Sequence, residues 1–111
     1  MKIQCYLVND SFSKEEVQLL FQLRSRSFPV KSNMKTQFVN DMKCRVCVKS
    51  DSFENEIHIA RDCDMFTEER GINDLYVEDI FGPTQMQIKF IQVFKIIVRK
   101  WKLLLEIQDN N

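Results

Sequence analysis

The sequence predicts a mainly α fold: a small domain with a first helix, a compact cysteine- and histidine-bearing segment, and a long closing helix. Three observations carry this. Only two glycines and two prolines occur in 111 residues, too few for a turn-rich all-β chain. Apolar residues recur at three- and four-residue spacing over 13–27 and again over 85–107, the period of an amphipathic helix. Between these stretches Cys44, Cys47, His58 and Cys63 stand in the pattern C-x2-C-x10-H-x4-C. The length suits one domain, or a fragment of one. Its core would be small, and a metal staple would help it. The expected organisation is a helical lead-in over 1–43, a metal knuckle over 44–63, and an acidic connector followed by the long C-terminal helix over 64–111.

The first ten residues alternate weakly through Ile3, Cys5 and Leu7. Ser13 is then an N-cap, and Glu16 three residues later completes a capping box, with Phe12 and Val17 placed as a hydrophobic staple. Val17, Leu19, Leu20, Phe21 and Leu23 form the apolar face. Pro29 disfavours a helical Phe28, so the helix should stop near Ser27. Arg24 and Arg26 then lie in its last turn, where cations suit the helix dipole.

After an irregular stretch over 30–42, Cys44-Arg45-Val46-Cys47 forms a tight turn that aims two sulfurs at one point. Asp51 or Ser52 should cap a helix with Glu54 and Glu56 in its first turn and Phe53, Ile57 and Ala60 inside. His58 and Cys63 are five apart, which is not one helical face, so Cys63 should sit just past the helix end. Gly71 is a natural stop after Arg70. Tyr76, Ile80 and Phe81 anchor the connector that follows.

Thr84 with Gln87 makes a second capping pair, and the closing helix 85–107 should span about 33 Å. Gln85, Lys89, Gln92, Lys95, Arg99, Lys102 and Glu106 trace a narrow polar stripe. Met86, Phe90, Ile91, Val93, Phe94, Ile97, Val98, Trp101, Leu104 and Leu105 fill the rest. The first helix, about 21 Å long, covers about two thirds of that face. Apolar side chains near one end of 85–107 should stay exposed, Trp101 and its neighbours among the candidates, and the chain should self-associate.

Three soft thiolates and one imidazole, Cys44, Cys47, Cys63 and His58, make a full tetrahedral set for Zn2+ with no position left for water. The metal is therefore expected to be structural. The four ligand atoms should converge within about 4 Å. His58 is the single histidine of the chain. Cys5 is far from the group and should be a free thiol. The chain opens without a charged-then-apolar signal stretch and contains no apolar run of the roughly 18 residues that span a bilayer. The expectation is an intracellular protein, in cytoplasm or nucleus, that does not enter a membrane and whose cysteines hold metal rather than disulfides.

Net charge is zero but unevenly laid out. Seven basic residues face one acidic between Arg24 and Lys49, ten acidic face two basic between Asp51 and Asp79, and five basic face two acidic from Ile80 onward. Lys31, Lys35, Lys43, Arg45 and Lys49 are the candidate nucleic-acid contacts, since basic side chains on a metal scaffold can reach phosphates. The acidic run from Glu54 to Glu69 would repel phosphate on its side. With the lone histidine committed to metal and no nucleophile beside an available base, no enzyme activity is expected.

Three segments in order resemble one family. Leu19-Leu20-Phe21-Gln22-Leu23-Arg24-Ser25-Arg26, followed by Val30-Lys31-Ser32-Asn33-Met34-Lys35, is the first. The Cys-Cys-His-Cys cluster is the second. Val77-Glu78-Asp79-Ile80-Phe81-Gly82, with Gln87-Ile88-Lys89 and Phe94, is the third. Over about Tyr6 to Ile107 the chain resembles the C-terminal tail, the zinc-knuckle region, of non-LTR (LINE-like) retrotransposon reverse transcriptases. Ile57 stands where that family usually has an acidic residue, Met34 where it often has an aromatic one, and the four-residue gap from His58 to Cys63 is long. The polymerase's paired aspartates and the endonuclease are absent from the sequence. The resemblance implies an orphan C-terminal fragment, a zinc-binding module that contacts RNA or target DNA without catalysis. The alternatives are a zinc-stapled module that docks on a polymerase domain, and a remnant without function.

Overall fold

The computed structural model describes residues 12–34, 42–47, 49 and 51–109. The expectations placed on the first ten residues, on Cys5 and on Lys35 lie outside this set. Among the described residues the fold is helical and contains no strand. Helix α1 spans Lys14–Ser25, α2 is a single turn at Thr67–Arg70, and α3 runs Thr84–Asp109. Tight 3-10 turns at Lys31–Asn33, Asp64–Phe66 and Val77–Phe81, and a π-helical turn at His58–Asp62, make up the rest.

The capping box forms as the spacing predicts. Ser13 Oγ accepts from the Glu16 amide at 3.2 Å, and the Ser13 amide donates to Glu16 Oε1 at 2.9 Å. Glu16 does more than cap. Its side chain is 3% exposed, and Oε2 accepts from Gln92 Nε2 at 3.0 Å and Lys95 Nζ at 2.5 Å. The cap of α1 is thereby tied to the middle of α3.

Helix α1 ends two residues before the expected Ser27. Arg26 adopts the left-handed conformation at φ 59°. The Ser27 amide reaches back to Gln22 O at 2.9 Å, and the Arg26 amide to Leu23 O at 3.4 Å. These bonds make a Schellman closure with arginine where glycine is usual. Arg24 is not simply a dipole cation: it donates through Nε and Nη2 to the Ile80 carbonyl at 3.1 and 2.5 Å, joining α1 to the 77–81 turn.

The core sits on α3. Phe90, Ile91, Phe94, Ile97, Val98 and Trp101 are buried against Leu19, Leu20 and Leu23 of α1 and against Phe28, Val30, Ile59, Phe66 and Ile80. Phe28 stacks on Trp101 at 5.3 Å between centroids and tilts on Phe94 at 5.5 Å. This core draws on all three stretches into which the sequence divides. Helix α3 begins at Thr84, inside rather than after its expected cap, and Gln87 Nε2 donates to Gly82 O at 2.8 Å to hold the entry.

The two long helices do pack together, but α1 is not the main cover of the far end of α3. Trp101 is 1% exposed because Phe28 and the knuckle close over it. Apolar surface does remain near the C-terminal end of α3, where Leu103 is 56% and Ile107 52% exposed. Met86, counted on the apolar face, is exposed at the other end.

Burial alone would raise the Glu16 carboxyl, but the hydrogen bonds from Lys95 and Ser13 outweigh it and hold the group below its ordinary 4.5. A depressed folded value stabilises the fold above pH 4.5 and stops doing so as pH falls through that lower value. Ser13→Ala should cost about 1 kcal/mol, the usual loss for an N-cap. Glu16→Ala should cost more at pH 7, and the gap between the two variants should close in acid. Urea melts at pH 7 and pH 3 check this; equal losses at both would show that Glu16 only caps.

Candidate metal centre

The knuckle begins with the turn Cys44–Cys47, and a buried carboxylate shapes it. Glu54 is fully buried. Its Oε1 accepts from the Arg45 amide at 3.0 Å and its Oε2 from the Lys31 amide at 2.8 Å. The Arg45 guanidinium closes the set, with Nη2 at 2.7 Å from Glu54 Oε2 and at 3.0 Å from Pro29 O. The Cys44 amide donates to Ser52 Oγ at 3.0 Å. The Arg45 amide and guanidinium thus tie the middle of this turn to the Glu54 carboxylate, and Gln108 Nε2 of α3 donates to the Arg45 carbonyl at 2.6 Å.

The second pair of ligands comes from a shorter and differently wound helix than the sequence predicts. Asn55, not Asp51 or Ser52, is the cap: its Oδ1 accepts from the His58 amide at 2.7 Å. Phe53 and Ile57, expected inside, are 46% and 49% exposed. Glu54 and Glu56, placed in the first turn, are both buried, Glu56 held by Arg26 Nε at 3.2 Å and Asn33 Nδ2 at 2.8 Å. Ion pairing reverses the faces that hydropathy alone assigns.

From His58 the turn widens to π, and the Cys63 amide bonds His58 O five residues back at 2.7 Å. A five-residue closure is what an α-turn cannot supply. It brings two ligands five apart to one end of the same turn. Cys63 itself is extended, just past the helix, as the spacing predicts. Arg70 clamps this turn, donating to Ala60 O at 2.7 Å and Cys63 O at 2.8 Å.

The four ligand atoms lie within 4.8 Å of one another, a little wider than the expected 4 Å. Cys44 Sγ and Cys63 Sγ are 3.9 Å apart, and Cys47 Sγ and His58 Nε2 are 3.5 Å apart. Around a tetrahedral zinc these separations come to about 3.8 Å for two sulfurs and about 3.6 Å for sulfur and nitrogen. The residues fit the ion. Cys44 and Cys63 are buried, Cys47 and His58 half-buried. The hydrogen bond from Cys63, helped by the backbone N–H groups of Cys47 and Val46, draws the Cys44 thiol down despite its burial. The same hydrogen bond and burial push Cys63 up.

The basic candidates are dispersed. Lys31 is buried, with 4% exposure. Arg45 is spent on Glu54 and on Trp101, whose ring lies 5.6 Å from its guanidinium carbon. Lys49 is half-exposed and pairs with Asp64. Lys43 is exposed. The positioning residues Glu54, Asn55 and Arg70 escaped the sequence reading, because nothing in their spacing marks them as partners of the knuckle. No helix among the described residues is long and apolar enough to cross a membrane. In comparisons with known proteins the chain matches no family model, no curated protein and no solved structure.

Native mass spectrometry after refolding with zinc should show one ion per chain, lost in His58→Ala and in Cys47→Ser; a folded metal-free chain of unchanged melting temperature would count against the site. Glu54→Gln keeps all four ligands yet should weaken zinc about 10- to 100-fold, the size expected when a group that orients ligands is lost. Competition with a chromogenic chelator measures it, and a parental affinity would remove Glu54 from the site.

Proposed function

We propose that the chain is a non-catalytic, zinc-stapled module that binds nucleic acid, as the reverse-transcriptase tail it resembles would. The observation that carries the metal half is the convergence of Cys44, Cys47, His58 and Cys63 within 4.8 Å. Three thiolates with one imidazole favour zinc over harder ions, and four protein ligands close the shell. Zinc there would cross-link the 44–47 turn to the π turn and supply no bound water. The nucleic-acid half rests on the resemblance and on exposed cations beside the knuckle, Lys43 and Lys49 among the described residues of the basic tract.

A second reading has its own support. Lys31 and Arg45 face inward, and Leu103 and Ile107 remain exposed on α3. That surface suits docking on a polymerase domain or on another copy of the chain, with the zinc only holding the fold.

Anisotropy titrations with labelled RNA and DNA across a salt series separate the two. Binding that weakens steeply with salt supports the first reading. Lys43→Ala with Lys49→Ala should then weaken all sequences alike and flatten the salt slope by roughly one per lost phosphate contact. No binding at low salt, with self-association in sedimentation, supports the second.

A further inference from the structure

An open groove of about 590 Å³ lies between the 72–79 segment and the first half of α3. Leu75 and Phe90, both buried, form its floor. Ile72, wholly exposed, and Tyr76 and Met86, each 39% exposed, stand at its rim. Large apolar side chains gathered in one exposed place mark a contact site, where single ones scattered over a surface do not. The Arg61 guanidinium lies 4.4 Å from the centre of the Tyr76 ring and braces that side chain.

The charges say what fits there. Asp74 and Asp79 line one wall, and Lys89 of α3 lines the other. Among the described residues none of the three makes an ion pair or a side-chain hydrogen bond. Glu78, exposed and equally unengaged, adds a third negative charge to the first wall. Glu15, Glu16, Glu54, Glu56 and Glu69 differ: each is paired with a lysine or arginine of another segment. The fold thus neutralises the carboxylates that hold its elements together and leaves these others unpaired beside exposed apolar surface. Such a wall repels a phosphate backbone, and the side chains suited to a metal are gathered elsewhere, in the knuckle. We infer that this groove docks a basic amphipathic peptide segment of a protein partner. Its apolar side chains lie against Ile72, Tyr76 and Met86, and its lysine or arginine groups meet Asp74 and Asp79. Apolar anchors supply the contact in grooves of this kind, and charge at the rim selects and orients the partner. The inference does not depend on the nucleic-acid reading, since none of these residues belongs to the basic tract or to the metal cluster.

The test is an anisotropy titration of the zinc-loaded full chain with a fluorescein-labelled Leu–Lys peptide of helical periodicity, beside a Leu–Glu peptide of the same pattern. The Leu–Lys peptide should bind and the Leu–Glu peptide should not, and binding should weaken as salt rises. Ile72→Ser, and Asp74→Asn combined with Asp79→Asn, should each weaken it about tenfold, the loss expected of an interface anchor. Asp51→Asn with Glu68→Gln removes equal charge outside the groove and should leave binding unchanged. Ile72 and Asp74 are exposed and Asp79 has no side-chain partner among the described residues, so these variants should keep the parental melting temperature. If the parent binds neither peptide at low salt, or binds both equally, the inference is overturned. Equal weakening by the distant pair also overturns it, because the attraction would then be one of net charge alone. If no peptide binds but the chain self-associates in sedimentation and Ile72→Ser abolishes that, the groove holds a second copy and the inference falls. None of these outcomes touches the nucleic-acid reading, which its own titrations decide.

Discussion

The buried carboxylate of Glu54 is the constraint on which this fold depends. A charge with no exposure is costly to desolvate, and it is tolerated only where donors surround it. Here they come from two separate segments: the Lys31 amide above, and the amide and guanidinium of Arg45 at the metal turn. Removing one partner of such a pair commonly costs about 3–5 kcal/mol. The carboxylate therefore ties the 31–33 turn, the Cys44–Cys47 turn and its own segment to one arrangement. Arg45 extends that commitment into the core, because the same guanidinium lies against Trp101.

The other half of the centre is held by backbone geometry. His58 and Cys63 could not face one ion from an ordinary α-turn, and the π turn resolves this with a five-residue closure. Such wide turns are rarely stable alone. Asn55 fixes this one at its start, and Arg70 grips the carbonyls at its end. The four side chains that could hold a metal are thus oriented by residues outside the cluster, a division of labour common around metal sites.

Glu16 and Arg24 follow the same logic at longer range. Each does its local helical task and also reaches another element, Glu16 to Lys95 and Gln92 on α3, and Arg24 to the Ile80 carbonyl. In a chain of this size a polar side chain that serves two elements replaces core that is not there. The excess polar bonding also explains how Phe81, Ile57 and Phe53 can stay outside: the elements that carry them are held by ion pairs and backbone contacts rather than by those side chains.

Local rules were enough to read the capping box at Ser13 and Glu16, the period and extent of α3, and the cluster of Cys44, Cys47, His58 and Cys63 that could hold a metal. Each depends on spacing within one element or on donor chemistry, and both are written in the order of residues. The inner and outer faces around the knuckle were not legible. Hydropathy put Phe53, Ile57 and Ala60 inside; Ala60 is buried, but Phe53 and Ile57 are exposed while Glu54 and Glu56 are buried, because Arg45, Arg26 and Asn33 arrive from other segments to satisfy the carboxylates. The burial of Trp101 and the inward roles of Lys31 and Arg45 were hidden for the same reason. A side chain's partner at long separation is set by how helices pack, so the sequence by itself determined which helices form and which four side chains could share a metal, and only the tertiary structure decided which charges are buried and which apolar side chains stay exposed.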